Sequence, residues 1–245
     1  GRLLDHCRHP YAALKGLEIL VLDEADRMAD DGFTPQVEWI LRKVTGVHQT
    51  MLFSATLDGD VAHLVARYMK DPTEVAIDAA TDTVGTMHHL FLGVHHMDKD
   101  KVIGSIGKGI PKLLVFCQTK RNCDRVARNL EELGIDAQAM HGDMQQSSRE
   151  RTLRKFAEGK LQVLVATDVA SRGLDIPEVD LVINAELPRR AVDYVHRVGR
   201  TARAGRRGRS VSLVGESDVD LVHEAERISG RPLEKCVEVT DEMAV

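Results

Sequence analysis

Apolar residues fall along the chain in two alternating patterns, strand-length runs and helical stripes. Leu17 to Leu22 is an apolar run of strand length, and two carboxylates, Asp23 and Glu24, follow where that strand ends. Val37, Ile40, Leu41 and Val44 recur at i, i+3, i+4 and i+7, one face of a helix. Gln49 to Phe53 predicts a short strand ending in Ser54-Ala55-Thr56. Val61, Leu64, Val65, Tyr68 and Met69 mark a second helical face, stopped before Asp71-Pro72, and Glu74 to Ile77 reads as a strand. Further on, strands are predicted at His89–Val94, Lys112–Cys117, Ala137–Met140, Gln162–Ala166, Leu181–Asn184 and Ser210–Val214. Between them come a helix with Cys123, Val126, Ala127, Leu130 and Leu133 on one side, ended by Gly134, and a helix at Arg149–Ala157. A last helix is predicted at Asp218–Ile228. Strands separated by helices predict parallel sheets covered on both faces. The fold class is α/β, about half of one domain (1–78) followed by a whole second one (89–232). A small, polar linker joins them at 79–88, and 233–245 is a short extension.

A length of 245 residues, with 43% hydrophobic and 29% charged content, is that of a folded globular chain. No apolar run approaches the roughly 20 residues of a membrane span, and the first residues show no signal-peptide pattern, so an intracellular location is expected. Nuclear and cytoplasmic compartments stay equally open. Net charge is −5, so no global basic field marks a nucleic-acid binder. The charge is uneven, however: eight Arg against the single acid Asp193 between Arg189 and Arg209 form a local anion-binding signal. The cysteines Cys7, Cys117, Cys123 and Cys236 form no C-x-x-C pair and read as free thiols. His88-His89 and His95-His96 fit no standard zinc spacing.

Asp23 and Glu24 carry the first chemical signal. Ligands of open α/β sheets bind at the carboxyl ends of strands, where an Asp can hold Mg²⁺ and a Glu can polarise an attacking water. The competing reading is a pair of acids placed for the dipole of a following helix. Ser54 and Thr56 just past a strand read equally as caps of the next helix. Arg200 and Arg203, three apart after the helical stretch Val192–Val198, are spaced to reach one ligand together. Arg197, four residues after Asp193, has an i,i+4 ion pair as its alternative, and Arg149 has Glu150 or Asp143 as partners. Asp175 after Gly173 reads as a turn or capping residue.

Taken in order, these residues sit in stretches that resemble the motifs of the DEAD-box RNA helicases. Asp23-Glu24-Ala25-Asp26-Arg27-Met28 with Gly32-Phe33 resembles their motif II, and Ser54-Ala55-Thr56 their motif III. Leu114 to Lys120 resembles motif IV, and His141-Gly142-Asp143 with Gln146 and Arg149 the motif that follows it. Ala166 to Asp175 resembles motif V and His196 to Arg203 motif VI. Departures are mild: Ala29, Ser171 and Ala202 stand where Leu, Ala and Gly are commoner.

The resemblance implies two RecA-like parallel-sheet domains in tandem, the first incomplete, and an ATP-dependent RNA helicase that uses ATP and Mg²⁺. It implies that Asp23 lies nearest the metal, that Glu24 is the general base and that Arg200 and Arg203 stabilise charge on the transferred phosphoryl group. Asp175 would contact the ribose of ATP. Asp26, Ser54, Thr56, His196 and Arg197 would couple the motifs. Arg2, Thr119, Gly142, Asp143, Arg149, Thr167 and Arg172 would contact the RNA backbone. With 4% aromatic residues, none interleaved with the basic ones, base stacking is not expected and recognition should show little sequence preference. Phe116, Phe156 and Tyr194 read as core. A P-loop is expected of the family, yet Gly104-Ser105-Ile106-Gly107-Lys108-Gly109 fails its spacing and reads as a loop. The chain by itself is therefore expected to lack ATP turnover, with a stable second domain and a first unit that leaves sheet edge and apolar surface uncovered. The rival reading is a non-catalytic RNA- or protein-binding piece of the same scaffold.

Overall fold

The computed structural model describes residues 2–9, 14–30, 32–57, 59–76, 87–171, 176–201, 208–215, 218, 220–223 and 234–238. The chain divides into two compact units, Gly1–Ile77 and Asp78–Val245.

In the first unit, strands β1 (Ile19–Leu22) and β2 (Gln49–Leu52) pair in parallel, with Ile19 opposite Gln49 and Leu22 opposite Leu52. Among the described residues four helices accompany them: α1 (Arg2–Cys7), α2 (Ala25–Asp30), α3 (Thr34–Leu41) and α4 (Gly59–Tyr68). The period of two along β1 sends Leu20 and Leu22 toward a small core with Val37, Leu41 and Leu64. The opposite face is bare, with Ile19 53% and Val21 49% exposed. The apolar run is thus buried on one side only, because among the described residues helices cover a single face of a two-stranded sheet. Residues 74–76, expected in a strand, lie in none; Val75 is 80% exposed and pairs with no described strand.

The second unit holds strands β3 (Met87–Gly93), β4 (Leu113–Cys117), β5 (Ala137–Met140), β6 (Val163–Thr167), β7 (Leu181–Asn184), β8 (Gly208–Val214) and β9 (Glu234–Glu238). They form one sheet in the order β5-β6-β4-β7-β8-β3-β9, every neighbouring pair parallel. Helices α5 (Lys99–Gly107), α6 (Lys120–Glu132), α7 (Gln146–Ala157), α8 (Asp168–Ser171) and α9 (Ala191–Val198) complete it. Every residue of β4, β6 and β7 is buried, as continuous apolar strands of a doubly covered parallel sheet require. On one face Val102, Ile103, Val126 and Leu130 of α5 and α6 pack on Leu113, Val115, Val163 and Val165. On the other, Phe156 and Leu161 pack on Leu114, Phe116, Leu164 and Val182. Phe91, Leu187, Tyr194 and Val198 build a third cluster by β3 and α9. Phe116, Phe156 and Tyr194 are core, as expected.

Three readings change. The glycine-rich stretch from Gly104 is no loop: it ends helix α5, and a Cβ on Gly104 would meet Leu133 Cδ1 at 2.7 Å. Glycine there serves close approach between α5 and the end of α6. Strand β3 begins at Met87, inside the stretch read as linker, and the stretch read as a terminal extension supplies β9, which pairs with β3. Of the helix predicted at Asp218–Ile228, residues 220–223 are helical and 224–228 lie outside the described residues.

Candidate functional site

Because all strands of each sheet run the same way, their carboxyl ends share one edge, and Asp23, Glu24, Ser54, Thr119, Gly142, Asp143 and Thr167 fall at or just past strand ends, while Arg2, Arg149, His196 and Arg197 lie on helices. In the first unit Asp23 follows β1 directly and is exposed. Its Oδ1 accepts a hydrogen bond from the Glu24 N–H at 3.0 Å. Glu24 has φ +51°, the left-handed region that costs a non-glycine residue about 1–2 kcal/mol. This kink turns the chain out of the strand and into α2, whose first bonds run from Arg27 N–H and Met28 N–H to the Glu24 carbonyl. Strain concentrated on one strand-end acid is typical of functional sites.

The hydroxyl of Ser54 accepts from the backbone N–H of Asp26 at 3.1 Å and donates to the Thr56 carbonyl at 2.6 Å. The Phe53 carbonyl accepts from Ala25 N–H at 3.0 Å. Ser54 therefore caps α2, the helix that carries the acids, and not the next helix in sequence as its position suggests. Such a cap is worth about 1 kcal/mol, and here it ties the end of β2 to the turn that presents Asp23 and Glu24. Asp26 is 5% exposed, buried beside Ala25.

In the second unit Thr119 follows β4 by two residues and caps α6, its Oγ1 accepting from Asn122 N–H at 3.2 Å. Gly142 and Asp143 follow β5, and the Asp143 carboxylate pairs with Lys120. That ammonium holds the exposed Asp143 carboxyl below the usual carboxylate range. His141 Nε2 lies 3.0 Å from Asp124 Oδ1. Arg149 pairs with neither Glu150 nor Asp143. Its guanidinium donates to the Ala170 carbonyl at 2.9 Å and to Gln146 Oε1 at 3.3 Å, and its buried Nε has no partner. Among the described residues its acceptors are neutral, an arrangement that suits an anion. Thr167 closes β6 and is buried.

Arg197 is the most deeply placed charge, 1% exposed. Its alternative partner Asp193 is not what holds it. Instead Nε and Nη2 grip both oxygens of Asp168 at 2.7 Å each, while Nη1 donates to Asn184 Oδ1 at 3.1 Å and to the Glu186 carbonyl at 2.7 Å. The guanidinium carbon lies 5.1 Å from the centre of the Phe116 ring. Asn184 Nδ2 passes the chain on to Ser212 Oγ at 3.0 Å. The Glu186 carboxylate accepts from Gln118 N–H at 2.7 Å and Asn122 Nδ2 at 2.6 Å. One buried guanidinium thus joins the ends of β6 and β7 to α9, and Glu186 carries the link on to the end of β4. Nearby, Lys99 donates to the Ala185 and Leu213 carbonyls at 2.9 Å each, and burial lowers its pKa.

His196 is exposed on α9. Arg200, just beyond α9, is half-buried; its N–H donates to the Arg197 carbonyl at 3.2 Å and its own carbonyl accepts from Val179 N–H at 3.2 Å. Arg2 is exposed on α1. Arg172, Asp175 and Arg203 lie outside the described residues. Sequence reasoning missed Asp168, Asn184, Glu186 and Lys99. The available signal was a polar residue, Asn184, closing an otherwise apolar strand, and an acid two residues later.

Among the described residues no group of three His, Cys, Asp or Glu side chains can hold a metal ion by itself, and no helix is long and apolar enough to cross a membrane. The lone carboxylate of Asp23 suits Mg²⁺, which takes one or two carboxylates and completes its shell with water and phosphate oxygens.

Residues 1–64 match the family model described as DEAD/DEAH box helicase, and residues 99–205 match the helicase conserved C-terminal domain. The ATP-dependent rRNA helicase RRP3 of Mycosarcoma maydis is 42% identical over 233 residues, covering 94% of this chain and 42% of that protein. The structure of S. cerevisiae Dbp5 bound to RNA and ADP BeF3 matches with a TM-score of 0.84 at 28% identity, over 97% of this chain and 63% of that one. E. coli DEAD-box protein SrmB, bound to regulator of ribonuclease activity A, matches at 34% identity with a TM-score of 0.57, over 64% of this chain and 93% of that one. The chain spans about half the length of the curated relatives it matches. Acids at the end of a parallel strand, a serine cap behind them and a buried arginine in the second sheet thus lie in two tandem RecA-like units, and the chain belongs to the DEAD-box RNA helicase family.

Proposed function

We propose that this chain is part of an ATP-dependent RNA helicase, a protein that couples RNA-stimulated ATP hydrolysis to local strand separation or remodelling of RNA–protein complexes. The observation that carries the reading is the Asp23–Glu24 turn, with an exposed Asp23 and a half-buried Glu24 at a strand end, a strained Glu24 backbone and a dedicated cap from Ser54. Asp23 would hold Mg²⁺, which when bound neutralises charge on the phosphates. Glu24 orients and deprotonates the attacking water. Arg200 and Arg203 stabilise charge on the transferred phosphoryl group; the tether of Arg200 to Val179 and Arg197 supports that role by fixing where its side chain starts. Asp175 binds the ribose. Asp26, Ser54 and Thr56 hold the acids in place in the first unit, and His196 and Arg197 do the same for the arginines in the second.

On the RNA side, Arg2, Thr119, Gly142, Asp143, Arg149, Thr167 and Arg172 meet the sugar-phosphate backbone. Two features support this: the strand-end placement of Thr119, Gly142, Asp143 and Thr167, and the neutral acceptors, Ala170 and Gln146, that hold Arg149 among the described residues. Contacts of this class neutralise phosphates, so affinity falls steeply with salt and depends little on sequence. Among related structures, Dbp5 is bound to RNA and SrmB to a protein regulator.

The test is Glu24→Gln in a protein extended to the length of its relatives. Binding of ATP and RNA should persist while RNA-stimulated hydrolysis falls by at least about 10². Turnover near the unsubstituted rate would show that Glu24 is a helix-terminus acid and nothing more.

A further inference from the structure

We infer that neutral His89 is the acceptor end of a one-way hydrogen-bond chain that seats helix α9, so that acidification loosens that helix. His89 is thereby a positioning residue for Arg197. The inference concerns the seat of α9 alone and does not rest on ATP hydrolysis being the activity.

The direction of the chain follows from what each group can do. A guanidinium only donates, and Arg197 Nη1 gives its hydrogen to Asn184 Oδ1 at 3.1 Å. Asn184 therefore turns Nδ2 the other way, and Nδ2 donates to Ser212 Oγ at 3.0 Å. Burial raises the Tyr194 hydroxyl, and hydrogen bonds with Ser210 and Ser212 pull it back down. The Tyr194 O–H then has His89 Nδ1 at 2.8 Å as its outlet, with Ser210 Oγ 3.1 Å from the same nitrogen. Only a ring nitrogen without a proton can accept, so the network assigns the neutral ring's proton to Nε2. The links are sealed from bulk water: Asn184, Ser210, Ser212 and Tyr194 are all buried. The Tyr194 ring is also packed, 5.7 Å from His89 and 5.9 Å from Phe91 between centroids. A proton on Nδ1 sets donor against donor and turns a hydroxyl hydrogen out of its bond, in an interior where an unmade hydrogen bond costs most.

Around His89, α9 brings Tyr194 with Asp193 before it, β8 brings Ser210 with Arg209 before it, and β9 brings Glu234, which pairs with Leu90. His88 is exposed on the opposite face of β3, and His196 is exposed on α9. Carboxylates and guanidinium groups ordinarily keep their charge between pH 7.5 and 5.5, the interval in which histidine titrates. A histidine that is neutral when folded and free to protonate when unfolded lets the unfolded chain bind the extra proton. Stability is then complete above the ordinary histidine range and is lost as pH falls, by up to about tenfold in the folding constant over that interval.

The test is urea unfolding of the second unit in the 245-residue chain, followed by far-UV circular dichroism at pH 7.5 and 5.5. His89→Gln keeps an acceptor at this place and does not titrate. On acidification the unsubstituted chain should lose at least about threefold more of its folding constant than His89→Gln. An equal loss overturns the inference, because every other histidine is common to both chains. His89→Leu removes the acceptor and should be less stable than His89→Gln at pH 7.5; equal stability shows that the chain needs no acceptor on β3, and overturns it too. Should His89→Gln fail to fold, Tyr194→Phe puts the question from the donor side. Without the O–H the extra loss on acidification should disappear, and a loss as large as in the unsubstituted chain counts against the inference. Positioning is read from the Arg197 Nε–Hε signal by NMR, which should move on acidification in the unsubstituted chain and stay in place in His89→Gln. An Arg197 signal that stays in place while the His89 ring protonates overturns the positioning role.

Discussion

Replacing Arg197 with Met keeps most of the side-chain volume and removes a charge that four hydrogen bonds hold in the interior. What stays behind decides the cost. The Asp168 carboxylate loses both charged donors, while Asn184 Oδ1 and the Glu186 carbonyl each lose one. Breaking a buried pair by removing one partner costs about 3–5 kcal/mol. Asp168 keeps 21% side-chain exposure, so water reaches its oxygens and the low end, about 3 kcal/mol, applies. Against a domain stability of about 5–15 kcal/mol this is a large fraction. It corresponds to a fall in Tm of about 6–12 °C for a unit of this size.

The assay is urea unfolding followed by far-UV circular dichroism, reading the transition of the second unit. The midpoint should drop with an unchanged slope, since the surface exposed on unfolding is the same. Adding Asp168→Asn to the Met variant should recover part of the loss by removing the stranded charge. A loss below about 1 kcal/mol, the size of an exposed ion pair, would refute the view that this guanidinium organises the sheet edge.

Three further outcomes rest on burial elsewhere in the molecule. Trp39 is the single tryptophan and lies in the first unit, whose core is the small cluster of Leu22, Val37, Leu41 and Leu64. Its fluorescence should change at lower urea than the circular dichroism of the second unit, and coincident curves would contradict the comparison of cores. Burial pushes the Tyr194 hydroxyl up to about 12 from 10.0. Its contribution is therefore fully present below pH 10 and is lost as pH rises through 12, an alkaline destabilisation of about 2–3 kcal/mol that Tyr194→Phe should flatten. Cys117 and Cys123 are fully buried, and the Cys123 thiol together with burial raises the Cys117 thiol well above its usual range. Iodoacetamide should reach both only after unfolding, while the half-buried Cys7 reacts in the native chain.

Much of the second unit was legible because its strands are doubly covered. Leu113–Cys117 and Leu181–Asn184 announce themselves as unbroken apolar runs, and Cys123, Val126 and Leu130 as a helical stripe. Edges were harder. Residues 74–76 show strand composition but pair with no described strand, and Glu234–Glu238, charged at both ends, gives no hint that β3 takes it as a neighbour. Periodicity reports local burial, and partners far along the chain leave no trace in it. The same limit shaped the site. Asp23 and Glu24 were singled out because strand ends collect ligands, and Thr119 and Thr167 only through the motifs they sit in. The i,i+4 partner of Arg197 was the visible one, yet its true partner, Asp168, lies 29 residues away. Ser54 caps a helix that precedes it by 28 residues, a link that only the pairing of β1 with β2 creates.

The order of strands also sets a timetable. Among the described strands of the second unit, Met87–Gly93 is the first to be synthesised, and its neighbours in the sheet are β8 and β9, the last two. At roughly 5–20 residues per second, on the order of ten seconds separate the appearance of β3 from that of its first partner. Throughout that interval Phe91 and Leu92, buried in the finished sheet, face solvent on a strand with both edges open. Meanwhile β4, β5 and β6 can already pair among themselves. A nascent chain therefore passes through a state in which a partial sheet and an orphan strand coexist. Substitutions in β8 would then register first as poor yield during synthesis, before any loss in the folded protein's activity.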